Sequence, residues 1–356
     1  MRVLGIDPGT LSFDLCGLQD GAVCLDLSIP SPELGESAAA LLEPLLANGP
    51  FDLVVGPSGY GLPLVRGEQV GEADIAEMVL VRADESAAQV GIGGMKAIIR
   101  ALIGARLPLV FPPGAIHLPT IPAYRKANRV DMGTADKVCS AALAIFDQAQ
   151  WHSLDYAETS FILLELGGAF SAALAVAGGK IVDGMGGSSG PMGLRAAGAL
   201  DGEAAYLLGA DFSKETIFSG GALDIAGNGA HDAAALAAQP GHRAAWLAWV
   251  ESAAKAVLSL TAVVPGPKEI LLSGRVAGLP ALQDELGERL RAVAPVRPVA
   301  GLGTQAKAAA QGAALIADGL AGGRFAPLVG VLELRGARGS ALDYLHLRGA
   351  GDIRIG

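Results

Sequence analysis

The chain has 356 residues, 51% hydrophobic and 17% charged, enough to build two domains each with its own core. Its formal net charge of −10 repels phosphate backbones, and the densest basic run, Arg125 to Arg129, is short and meets Asp131 at once, which argues against nucleic acid as a partner. Three cysteines, Cys16, Cys24 and Cys139, lack metal-like or C-x-x-C spacing, which reads as a reducing cytosol rather than a disulfide scaffold.

In chain order, Arg2–Ile6, Asp14–Gln19 and Ala22–Ser28 read as a three-strand meander. A helix over 36–47 and a buried strand at 52–56 follow, then the turn Pro57-Ser58-Gly59-Tyr60-Gly61. A helix at 88–103 leads to a strand at 108–111, and 134–149 reads as a helix with Thr134 as N-cap and Asp136 in its first turn. The same order then repeats. Strands at 160–165, 171–177 and 180–183 precede a helix at 244–264, a strand at 269–272 and helices at 280–293 and 304–318. The apolar run from Phe161 to Gly179 contains Glu165 and two Gly-Gly pairs, so it reads as a hairpin and not a membrane span. The opening apolar run is broken by Asp7, which reads against a signal peptide. The division is 1–150, 151–320 and a tail, 321–356, expected to hold a hairpin.

Two turns carry the chemistry. Val3 to Thr10 (VLGIDPGT) ends a strand in an acid, a Gly turn and a hydroxyl. Asp7 there can orient Mg²⁺ while amides at Gly9 and Thr10 face a phosphate; alone, the motif equally suits a turn-capping Asp. Glu165-Leu166-Gly167-Gly168-Ala169-Phe170-Ser171 repeats the design, and Gly167-Gly168 lets backbone close on phosphates. A third strand-to-turn junction, Ser273-Gly274-Arg275, suits the floor under an adenosine, with Arg275 stacking on the ring. Arg66, Arg82, Arg125, Arg129 and Arg195 stand outside obvious helical ion pairs. A carboxylate acceptor is already ionised and needs cations rather than a base. An alcohol acceptor needs a base, for which Asp131 is the candidate. The loop from Gly184 to Pro191 suits a close backbone approach to phosphates or acceptor. The five histidines are scattered and suggest no metal site.

Taken together, these elements resemble the acetate-and-sugar-kinase/Hsp70/actin superfamily. Within it, the second half is similar to butyrate kinases of the acetokinase family, through Leu166-Gly167-Gly168, Gly179-Lys180-Ile181-Val182-Asp183, Gly190-Pro191-Met192 with Arg195, Ser273-Gly274-Arg275, Ala294-Pro295-Val296 and the Ala/Gly-rich helix 308–316. The whole chain, through Gly56 to Pro63, looks like the predicted butyrate kinases of a conserved unknown domain (DUF1464-like). Acetokinases carry Asn at the place of Asp7 and His near that of Glu165; the two acids here resemble those of sugar kinases and ATPases.

The resemblance implies a duplicated RNase H-like (actin-like ATPase) α/β fold, with a nucleotide cleft between two domains. It implies transfer of a phosphoryl group from Mg-ATP to a small acceptor, first a short carboxylate. Asp7 and Glu165 would orient Mg²⁺. Gly9, Thr10, Gly167, Gly168 and Ser171 would hold phosphates, and Ser273, Gly274 and Arg275 the adenosine. Arg195 would meet the acceptor or the moving phosphoryl, with Arg125, Arg129 and Ser58 as further acceptor contacts. The alternatives are an ATP-dependent switch acting on a protein partner, a kinase of an alcohol or sugar, and a RuvC-like nuclease, against which the acidic balance counts. By analogy with acetokinases, a homodimer is expected.

Overall fold

A computed structural model describes residues 1–9, 12–30, 38–85 and 92–356. Two sheets share one plan. In the first, β1 (Arg2–Pro8), β2 (Ser12–Gln19) and β3 (Ala22–Pro30) form an antiparallel meander, and β4 (Leu53–Val55) and β6 (Leu109–Phe111) continue from β1 in parallel, with the short β5 (Val65–Arg66) on the edge. In the second, β7 (Ser160–Leu166), β8 (Ser171–Ala177) and β9 (Lys180–Met185) form the meander, and β10 (Glu269–Ser273) and β11 (Val296–Pro298) continue from β7 in parallel. The orders β3-β2-β1-β4-β6 and β9-β8-β7-β10-β11 correspond strand for strand. The fold is therefore a duplicated α/β arrangement, and the run from Phe161 is the β7–β8 hairpin expected for it.

Alternation along the strands sets the layers. Val3, Leu53 and Val55 face a central core shared with Phe161, Leu163 and Leu271 of the second sheet. Leu4, Ile6 and Val54 face outward onto the helices Glu72–Val79 and Ile92–Gly104. Ile162, Leu164, Ile270 and Leu272 face the helices Arg243–Leu260 and Pro280–Leu290. Between the sheets lie two Ala-rich helices, Ala135–His152 and Ala308–Leu320, both almost wholly buried. Small residues permit this. A Cβ at Gly5 would strike the backbone of Ala310 and Ala314, and one at Gly312 would strike the Cys139 carbonyl.

The helix 308–320, placed by sequence in the second unit, packs on β1, β2 and β4 of the first sheet. It starts at 308 rather than 304 because Asp26 captures the preceding amides. Its carboxylate accepts from Thr304 N (2.7 Å), Gln305 N (3.0 Å) and Ala306 N (2.7 Å). The tail requires a correction. Residues 326–332 form a helix, not a strand, because Leu328, Val329 and Leu332 share one face that packs on the central core; no hairpin forms among the tail residues. Short helices at 202–208, 214–217, 222–226 and 233–238 fill a stretch where the sequence predicts no elements. Among the described residues no helix is long and apolar enough to cross a membrane.

Candidate active site

The two meanders turn toward each other. β1 and β2 close through Gly9 N to Ser12 O (2.8 Å), and β7 and β8 close through Gly167 N to Phe170 O (2.9 Å). Both hairpins line one cleft of about 500 Å³, with Gly9 on one wall and Gly167 and Gly168 on the other. Thr10 lies outside the described residues. The N-terminal ends of both central helices also open here, through Thr134, Asp136 and Lys137 and through Lys307 and Ala308. Helix N-termini and turn amides make a cleft that favours an anion.

The acids at the two strand ends are each met by a lysine. Lys307 Nζ lies 3.0 Å from Asp7 Oδ2 and 3.0 Å from Asp14 Oδ2. Lys137 Nζ lies 2.5 Å from Asp136 Oδ2 and 3.1 Å from Glu165 Oε2. The pairing is crossed: the lysine heading the helix 308–320 serves the first sheet, and the one heading 135–152 serves the second. Burial pushes the Asp7 carboxyl above its ordinary range, with Lys307 pulling the other way. Burial likewise raises Glu165, opposed by Lys137. Burial would raise Asp136 too, but Lys137 and the Thr134 hydroxyl outweigh it and hold it down. Lys137 and Lys307 are held above the usual lysine range because their carboxylates outweigh desolvation. Glu165 Oε2, although near Lys137, is out of alignment with any hydrogen-bond donor among the described residues.

The other expected residues fall into two groups. Ser58, Asp131, Gly274 and Arg275 line the cleft. Ser58 Oγ donates to Pro112 O (2.6 Å). Gly274 needs its positive φ of 92° and its missing side chain, since a Cβ would meet the Leu166 carbonyl. Arg275 spans the cleft from the second half, donating to Ser12 Oγ (2.8 Å), which in turn donates to Asp14 (2.7 Å). Asp131 anchors the glycine loop. It accepts from Gly133 N (3.1 Å) and from Ser188 N and Oγ (each 3.0 Å), and a Cβ at Gly186 would strike its carboxylate.

The second group is not brought to the cleft. Ser171 is buried and accepts from the Trp249 indole (3.1 Å), and Ser273 is buried with no hydrogen-bond partner among the described residues; neither lines the cleft. Arg195 is exposed, and its backbone rather than its guanidinium meets the second hairpin, Arg195 N donating to Ala169 O (3.0 Å). Arg125 donates to Val182 O (2.8 Å), and exposed Arg129 reaches Ser189 O (3.4 Å). Both sit beside Asp183 and not on the cleft wall. Lys137, Lys307, Lys214 and Asp136 also line the cleft, and Asp14 meets Lys307; the sequence pattern singled out none of the five as a candidate site residue. One signal was available: both central helices are rich in alanine and other small apolar residues, the mark of a closely packed helix, so a lysine at the head of each is expected to be buried or paired.

The family model described as "Protein of unknown function (DUF1464)" matches residues 5–347, and the chain belongs to that family. No curated protein matches it. A propionate kinase from Francisella tularensis subsp. tularensis SCHU S4 superposes with a TM-score of 0.61 at 14% identity, covering 87% of this chain and 98% of that one. Acetate kinase from Porphyromonas gingivalis gives 0.58 at 15% identity, over 84% and 96%. Acetate kinase from Entamoeba histolytica gives 0.56 at 13%, over 84% and 96%. Likeness at this identity shows the fold, which is the duplicated, actin-like ATPase type.

Proposed function

We propose that this DUF1464 protein transfers the γ-phosphoryl group of ATP to a small carboxylic acid. The observation that carries the proposal is the convergence of two glycine hairpins, two helix N-termini and two lysines on one cleft. Such a set suits the charge of a triphosphate and of the phosphoryl group in flight. The fold shared with acetate and propionate kinases supports it.

What Asp131 does favours a carboxylate as the acceptor. The carboxylate expected to serve as base for an alcohol is engaged by three donors of the glycine loop and its own turn. An ionised acid needs no base. One of its oxygens forms a bond to the γ-phosphorus, and the bond from that phosphorus to the β,γ-bridging oxygen breaks. The electron pair leaves on ADP, no proton moves, and the product is an acyl phosphate. Lys307 and Lys137, three-donor cations at the helix heads, can turn from their carboxylates to phosphate oxygens.

Mg²⁺ fits the residues present. Among the described residues no three His, Cys, Asp or Glu side chains are grouped to hold a metal alone. Mg²⁺ keeps waters and phosphate oxygens and takes only one or two carboxylates. Glu165, with its unaligned buried oxygen, and Asp7 would hold it. Bound there, the ion would neutralise charge on the phosphates.

The test is ADP release with Mg-ATP and C2 to C6 acids, with hydroxylamine present to trap acyl phosphate as hydroxamate. Acid-dependent hydroxamate, reduced about 100-fold or more by Asp7→Asn or Glu165→Gln, is expected. ADP release that ignores every acid, or that requires a sugar or polyol, overturns the assignment.

A further inference from the structure

A third lysine in the cleft differs from the other two. Lys214 heads the short helix Lys214–Ile217, in the second half, and reaches across to the first. Its Nζ donates to the Tyr60 hydroxyl (3.0 Å) and to Leu80 O (3.2 Å), and lies 4.6 Å from the centre of the Tyr60 ring. Its backbone N donates to Glu85 Oε1 (2.7 Å), which fixes the helix against the first half. Leu80 caps the helix Glu72–Val79 at φ 51°, a left-handed conformation uncommon for leucine, and its carbonyl is the one that meets Lys214. Among the described residues Lys214 has no ion-pair partner, whereas Lys137 and Lys307 have two carboxylates each.

The surroundings are apolar. Met78, Met95, Ile98, Phe170 and Phe218 line the same cleft, with Phe170 and Phe218 edge to face at 4.9 Å. Burial pulls the Lys214 ammonium below the ordinary lysine range, with Asp131 and Glu85 opposing. An ammonium held among methionines and aromatic rings, with one N–H beyond its two bonds, lacks the anion that would make its position favourable. Tyr60 accepts from Lys214, so its own O–H can donate, either to the neighbouring Ser188 side chain or to an incoming oxygen.

We propose that Lys214 and the Tyr60 hydroxyl bind the carboxylate of the acceptor, and that Met78, Met95, Ile98 and Phe218 receive its hydrocarbon chain. The assignment rests on the kinase proposal for its chemistry, but binding of the acid is separable from turnover. The chemical class is a monocarboxylic acid with an unsubstituted chain of several carbons, since a second charge or hydroxyls would meet no partner on that wall.

The experiment uses butyrate, with acetate and hexanoate as shorter and longer probes, and the variants Lys214→Met and Lys214→Gln. Gln keeps donors for Tyr60 and Leu80, so it covers the case in which Met fails to fold. Butyrate binding to the nucleotide-free protein is followed by ligand-observed NMR, and steady-state KM values for acid and ATP are measured separately. Loss of one charge-assisted contact predicts a rise of about 10- to 100-fold in the butyrate KM or Kd in both variants, with the ATP KM within about threefold. Hexanoate or butyrate binding more tightly than acetate is expected, and Phe218→Ala narrows that difference. An unchanged butyrate affinity overturns the proposal, and so does a rise confined to the ATP KM, which would put Lys214 on a phosphate. Tightest binding by acetate overturns the chain assignment. Butyrate that binds through Lys214 without hydroxamate formation sustains the acid site while sinking the kinase proposal.

Discussion

Gly312→Ala tests the seam on which the two halves are built. The methyl group would press on the Cys139 carbonyl, whose carbon lies 2.5 Å from the new Cβ position. The helix cannot retreat, because its Ala310 and Ala314 backbone already abuts the Cα of Gly5. Alanine in place of a helical glycine by itself gains about 1 kcal/mol. Overpacking costs about 1–3 kcal/mol, and backbone on both flanks places this site at the top of that range or above. The net expectation is a loss of about 2 kcal/mol. Gly287→Ala, in the helix Pro280–Leu290, is the control, since a Cβ there meets nothing within 4 Å. It should gain about 1 kcal/mol through propensity alone. Urea unfolding of both variants beside the parent protein reads the difference. Gly312→Ala as stable as Gly287→Ala would show that the central helices are not in backbone contact.

Two further outcomes follow from named contacts. Asp26→Ala removes the acceptor of three amides ahead of the helix 308–320 and should cost about 2–3 kcal/mol at pH 7. Burial alone would raise Asp26, but its bonds to Ala306, Gln305 and Thr304 outweigh that and hold it below its ordinary 3.8. A depressed carboxyl stabilises the fold above 3.8 and loses that effect as pH falls through the folded value. The gap between parent and Asp26→Ala in urea midpoints should therefore close in acid, and a gap constant down to about pH 2 would contradict the assignment. Asp131→Asn keeps the loop anchor largely in place, so turnover with an acid should fall less than about tenfold; a drop of about 100-fold or more in initial rate would mark Asp131 as a base after all.

Much of the fold was legible because it is written locally. Short apolar strands ending in an acid and glycines announced both hairpins, and Asp7, Glu165, Gly9, Gly167 and Gly168 do meet at one cleft. What could not be read was set by contacts distant in sequence. Lys307 meets Asp7 only because the helix 308–320 crosses back to the first sheet. Lys214 lies in a stretch of short helices whose pattern is too brief to show a period. Ser171 carries the hydroxyl the motif calls for, but strand alternation turns it toward Trp249 and away from the cleft. In the tail, Val329 and Val331 carry strand propensity that packing against the central helices overrides.

The crossing of the helix 308–320 also sets an order of events during synthesis. β1 leaves the ribosome long before the residues that cover its Gly5 face. Until they emerge, Val3, Leu53 and Val55 present an open apolar sheet, the kind of surface chaperones engage. The amino-terminal half thus matures last on that side, through contacts whose sequence separation makes them slow to close.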